Sequence, residues 1–119
     1  MIKEKKYNWH KIADSIDELH FGTNNLLPLE VAGKKICLAK AEKLYACIAK
    51  CPHAGGTLAE GYLDDSANIT CPLHRYKFDL KNGRNTTGEG YYLKTFPVEI
   101  RENGIFLGIE ESGIMSWLK

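Results

Sequence analysis

The sequence predicts an all-β fold, an antiparallel sandwich or partly open barrel, on three observations. Short apolar runs with alternating polar neighbours recur along the chain, turn residues separate them at close intervals, and almost no stretch carries a helical repeat. With 119 residues, 44% apolar and 26% charged, the chain can bury one core, so 1–119 reads as a single domain.

Taken in order, residues 9–13 are the first expected strand, residues 14–19 a helical turn, and Leu26–Val31 an extended segment. Residues 35–40 and 43–49 flank a tight turn at Ala41-Glu42 and read as a buried hairpin. Gly61-Tyr62-Leu63 and Asn68-Ile69-Thr70 look strand-like, and residues 76–80 form another run that ends at the Asn82-Gly83 turn. Phe96, Val98 and Ile100 alternate with polar or charged neighbours. Glu102-Asn103-Gly104 then turns the chain into residues 105–109, and Asn-Gly is the strongest short hairpin signal. Eight to ten strands result.

Charge narrows the partners. The net charge is +1 with both signs interspersed, so neither a nucleic-acid face nor an acidic tail is expected. Four of the first six residues are charged, with no apolar stretch behind them. Neither a secretory signal nor a membrane anchor is expected, and the reading is cytoplasmic, where cysteines stay as thiols or bind metal.

Residues 50–75 break the strand rhythm and are rich in Pro, Gly, His and Cys, which places function there. They contain Cys51-Pro52-His53, seventeen further residues, then Cys71-Pro72-Leu73-His74. Each short loop supplies one thiolate and one imidazole. A binuclear iron–sulfide core can take this set as two thiolates on one iron and two imidazoles on the other. Two Cys and two His are also a zinc set, but zinc modules more often pair ligands of one kind, Cys first and His later; the interleaved order favours the cluster. An oxidised [2Fe–2S] core carries about +2, so two thiolates make the site roughly neutral where four would leave it near −2; an electron is then added more easily.

Cys51-Pro52-His53-Ala54-Gly55-Gly56 and the stretch from Cys71-Pro72-Leu73-His74 to Asp79 resemble the two cluster-binding loops of Rieske iron–sulfur proteins. Glu60-Gly61-Tyr62 and residues 92–98 are similar to the family as well. The resemblance implies a Rieske fold with a small cluster-binding subdomain at about residues 50–78. It also implies one [2Fe–2S] cluster, with Cys51 and Cys71 on the inner iron and His53 and His74 on the outer iron at an exposed tip.

Departures from the family pattern sharpen this. Respiratory members carry an extra cysteine in each loop and join the two as a disulfide; here Gly56 and Leu73 stand at those positions. The same members place hydroxyl donors to cluster sulfur where this chain has Tyr76 and Phe78. Phe78 has no hydroxyl, and that of Tyr76 sits on a longer, planar side chain. Fewer donors disfavour the reduced state, so a potential near the low end of the Rieske range, about −150 mV, is expected. Many relatives cover the cluster with a third, proline-containing loop. The corresponding residues 86–92 contain no proline, and Gly88 and Gly90 serve either a close backbone approach or a turn.

Other residues have plainer readings. Cys37 and Cys47 lie on adjacent expected strands; a disulfide or metal role is the alternative to small core residues. His10 and His20 have no ligand spacing to anything, and Trp9 and Trp117 read as packing residues. Lys50, Arg75 and Lys77 form either a basic collar that steers acidic partners or a solvated surface. Glu60 and Asp79 have no nucleophile beside them.

The resemblance therefore implies a non-catalytic electron carrier that takes one electron from a reductase and gives it to a terminal oxygenase. Two alternatives stand: the small Rieske subunit of an assimilatory nitrite reductase, docked to a sirohaem-bearing large subunit, and a redox-sensing Rieske protein.

Overall fold

The computed structural model describes residues 6–52, 56–73 and 75–110. His53, His74 and Trp117 lie outside the described residues. Ten strands occur in order: β1 (Tyr7–Ala13), β2 (Leu26–Val31), β3 (Lys34–Lys40), β4 (Leu44–Ile48), β5 (Tyr62–Leu63), β6 (Asn68–Thr70), β7 (Lys77–Asp79), β8 (Thr95–Phe96), β9 (Val98–Arg101) and β10 (Gly104–Glu110). Two single 3-10 turns, Ile16–Glu18 and Leu58–Glu60, are the helical content among the described residues. Three antiparallel sheets result, ordered β1-β10-β9, β2-β3-β4-β8 and β5-β6-β7, and none closes into a barrel.

The buried hairpin expected over residues 35–49 is a continuously buried pair, Ile36 to Ala39 against Leu44 to Cys47, because β3 and β4 sit centrally in the four-stranded sheet with apolar groups on both faces. One face packs with Val31, Phe96, Leu107 and Ile109 toward the three-stranded β1-β10-β9 sheet. The other face joins Cys51, Leu58, Ile69, Cys71, Phe78 and Leu93 in a core shared with the β5-β6-β7 sheet. That second core is the floor under the expected ligand loops.

Residues 95–101 do not behave as one alternating strand. Phe96 lies in the four-stranded sheet and Val98 in the three-stranded one, and Ile100 is 60% exposed. Pro97 between them has no N–H for a ladder, so the chain changes sheets there. The β2–β3 connection is a two-residue turn at Ala32 and Gly33, both at positive φ (52° and 81°), the geometry that suits a right-handed hairpin twist. At the other end of β2, Asn24 Nδ2 donates to Ala59 O (2.9 Å) and Gly61 O (3.1 Å), tying the four-stranded sheet to the 3-10 turn after the first ligand loop.

Candidate metal centre

Two loops of the same design face each other. Cys51 N donates to Gly56 O and Cys71 N donates to Tyr76 O, each at 2.8 Å and each across five residues. The first loop leaves β4 and returns through the Lys50–Thr57 bridge; the second joins β6 to β7. Both are pinned at their bases by sheet. Cys51 and Cys71 are 2% and 0% exposed at the roots of the two loops.

The thiols of Cys51 and Cys71 face each other across the loops. Burial first, and then the neighbouring Cys51 thiol, push the Cys71 thiol up to about 11. A thiol so placed becomes a thiolate only when a cation offsets the burial, which is what iron in a cluster supplies. A Cβ on Gly56 would come 3.1 Å from Cys71 Sγ, so the glycine keeps the space beside this sulfur clear. The donor set and this clearance fit a cluster seated on two converging cysteine sulfurs.

The next residues close the surroundings. Arg75, within the second loop, holds φ at 59°, a left-handed conformation that a non-glycine residue adopts at some cost. Tyr76 turns its ring toward the third loop and stacks on Tyr91, with centroids 5.7 Å apart and planes 30° from parallel. Phe78 is fully buried beneath. In the third loop Gly88 and Gly90 both have φ of 87°, and a Cβ on either would meet nothing within 4 Å; their role is the turn, not close approach.

Asn85 organises that loop, and sequence reading missed it. Its Nδ2 donates to Lys77 O and Thr87 Oγ1, each at 3.0 Å, and its Oδ1 accepts from Glu89 N and from Gly90 N (3.0 Å). The available signal was an Asn ahead of Thr-Thr-Gly-Glu-Gly, a side chain suited to capping its own turn.

Of the expected collar, Lys50 and Arg75 are exposed, whereas Lys77 is half-buried and lies 3.8 Å from Asp64. Cys37 and Cys47 are direct cross-strand partners, fully buried and free of any disulfide. The hydrogen bond between their thiols, and then burial, push Cys47 well above the ordinary thiol value. Asp79 caps its turn by accepting from Lys81 N at 2.8 Å, and Glu60 is exposed.

The family model of the Rieske [2Fe-2S] domain matches residues 8–97. The chain belongs to this family. A Rieske domain carries a [2Fe–2S] cluster held by cysteine and histidine, the donor pattern of the two loops. It is similar, at 35% identity over 71 residues, to the 3-phenylpropionate/cinnamic acid dioxygenase ferredoxin subunit of Escherichia coli (strain K12); the match covers 59% of this chain and 67% of that one. Its fold is similar to the ferredoxin of carbazole 1,9a-dioxygenase from Nocardioides aromaticivorans IC177, with a TM-score of 0.69 and 23% identity over 82% of this chain and 95% of that one. It is also similar to a protein described as an NADH-dependent nitrite reductase small subunit from Mycobacterium tuberculosis, with a TM-score of 0.77 and 16% identity over 90% and 99% of the two chains. No helix among the described residues of this Rieske domain is long and apolar enough to cross a membrane.

Proposed function

We propose that this chain, read as one domain over 1–119 with its cluster-binding part at about residues 50–78, is a one-electron carrier. In this reading Cys51, His53, Cys71 and His74 hold a [2Fe–2S] cluster, and the electron passes from a reductase to a terminal oxygenase in the cytoplasm. The observation that carries the reading is the pair of like-built loops whose buried Cys51 and Cys71 thiols meet. When bound, the cluster takes up and releases one electron. Cys51 and Cys71 supply thiolates from a dry floor, Gly56 keeps room beside the Cys71 sulfur, and the three strands β5-β6-β7 hold the second loop. The oxygenase as acceptor is supported by likeness to dioxygenase ferredoxin subunits; the nitrite reductase likeness is one of fold.

Dithionite-reduced protein is expected to give a Rieske-like paramagnetic spectrum, with average g below that of all-cysteine [2Fe–2S] proteins. His53→Cys or His74→Cys is expected to lower the potential where the cluster survives, because a charge is added at the outer iron. An all-cysteine spectrum in the unaltered protein, or a rise in potential in either variant, contradicts the ligand assignment. Turnover of an oxygenase by the reduced carrier tests the partner; co-purification with a large sirohaem protein favours the nitrite reductase subunit instead.

A further inference from the structure

The third loop is built around a charge. Thr87 Oγ1 accepts from Asn85 Nδ2 and from Lys77 N, and its hydroxyl donates to Glu89 Oε1. The backbone N–H of the same glutamate is held by Asn85 Oδ1. Glu89 sits between two glycines at positive φ, so the backbone there follows a path that few other sequences allow. Asn85 and Thr86 also bond Lys77 O, at 3.0 and 3.4 Å, which anchors the loop to β7 just after the second ligand loop.

Glu89 therefore has its carboxylate fixed by Thr87 and its backbone fixed by Asn85, on a loop whose Tyr91 stacks on Tyr76. Tyr76 in turn accepts the Cys71 N–H at its carbonyl (2.8 Å), so the stack ties the third loop to the base of the second ligand loop. A glutamate on a free loop would be averaged over many positions; Glu89 is exposed and open to salt, but held in place it acts from one fixed position. We propose that Asn85 is a positioning residue that holds Glu89 beside the second ligand loop as a fixed negative charge, and that this charge lowers the reduction potential of the cluster.

This inference rests on the cluster-carrier reading above and concerns the same site. Adding an electron beside a carboxylate is less favourable than adding it beside a neutral amide. Glu89→Gln removes the charge and leaves the knot. Asn85→Ala leaves the charge and unties the knot. Thr87→Val frees the carboxylate and takes away one bond of Asn85, which keeps those to Lys77, Glu89 and Gly90, so a usable variant remains if the alanine disturbs folding.

The experiment is a potentiometric titration of the loaded protein and the three variants, followed by the paramagnetic signal, at low and high salt. Each variant is expected to shift the potential upward. The Asn85→Ala/Glu89→Gln double variant is expected to shift no further than the larger single one, and the Glu89→Gln shift is expected to shrink at high salt. An unchanged potential in Glu89→Gln overturns the charge. A rise in Glu89→Gln with none in Asn85→Ala and Thr87→Val, or additive shifts in the double variant, overturns the positioning role. Failure of the cluster reading shows separately, as absence of a Rieske-type signal in the unaltered protein.

Discussion

A Cβ built on Gly56 would lie 3.2 Å from both Cγ and Cδ1 of Leu73, so the two ligand loops touch at these residues. They are the positions at which the respiratory pattern carries its two extra cysteines, and the structure does bring them into contact. Here the contact is an apolar one, and Leu73 is 48% exposed on its outer side.

Gly56→Ala tests how closely the loops are fitted. Leu73 has room to swing outward, but Cys71 Sγ, 3.1 Å from the new methyl, is buried against Cys51 and does not. The added carbon is expected to cost about 1–3 kcal/mol and to lower the iron bound per chain. Leu73→Ala in the same chain should restore part of both, because it opens the outer side; the coupling comes from urea unfolding of the two single variants and the double one. Wild-type stability and iron content in Gly56→Ala would mean the loops are not packed this tightly.

Ala32→Asn is expected to stabilise the fold. Ala32 is exposed with φ at 52°, where an alanine is strained and an asparagine tolerated. The gain is expected to be about 0.5–1 kcal/mol by thermal or urea unfolding, with an unchanged paramagnetic spectrum. Ala32→Gly should gain less, because glycine also frees the unfolded chain. A loss of stability in Ala32→Asn contradicts the positive-φ turn.

That turn shows where the sequence was legible and where it was not. β3 and β4 carry their own apolar pattern, and Asn103-Gly104 and Asn82-Gly83 are turn residues by chemistry, so strands and connections could be read there. Ala32 is not a positive-φ residue by preference; the flanking β2–β3 ladder imposes the conformation, which no local signal records. The move of Val98 and Ile100 into another sheet from Phe96, at Pro97, is a tertiary event that the alternation does not record. At the site, the two loops stood out because each is a short local segment, Cys51 to Gly56 and Cys71 to Tyr76, closed on itself by its own backbone bond. The Asn85 knot did not, because its partners Lys77 and Gly90 are joined only once the third loop has folded onto β7.

Asp64 gives the fold a pH dependence of definite sign. Burial by itself raises its carboxyl, but donations from Asn68 N (2.9 Å), Asn68 Nδ2 (3.1 Å) and Ser66 N (2.9 Å), with Lys77 nearby, outweigh that and hold it below its ordinary value. A group lowered in the folded state contributes above its unfolded pKa, about 4, and the contribution is lost as pH falls through the folded value. Asp64→Asn is therefore expected to be less stable than the unaltered chain at pH 7, by about 0.5 kcal/mol at this exposed position. The difference should close below about pH 4. Stability curves measured against pH for both proteins check it, and a gap that widens in acid would reverse the sign.

The four cysteines divide into two pairs that one experiment separates. Cys37 and Cys47 face each other within the four-stranded sheet as free thiols, while Cys51 and Cys71 stand at the roots of the two loops. All four are buried in the same core, so burial alone does not tell them apart. If the first pair is packing, Cys37→Ala/Cys47→Ala should cost about 1–3 kcal/mol through lost contacts and still hold two irons per chain with an unchanged spectrum. Cys51→Ala or Cys71→Ala should abolish the spectrum, because a thiolate on the inner iron is removed. Iron analysis beside urea unfolding keeps the outcomes apart, since a folded chain without iron marks a lost ligand and an iron-bearing chain of lowered stability marks lost packing. A Cys37→Ala/Cys47→Ala protein that folds but holds no iron would move the first pair into the metal site and overturn the division.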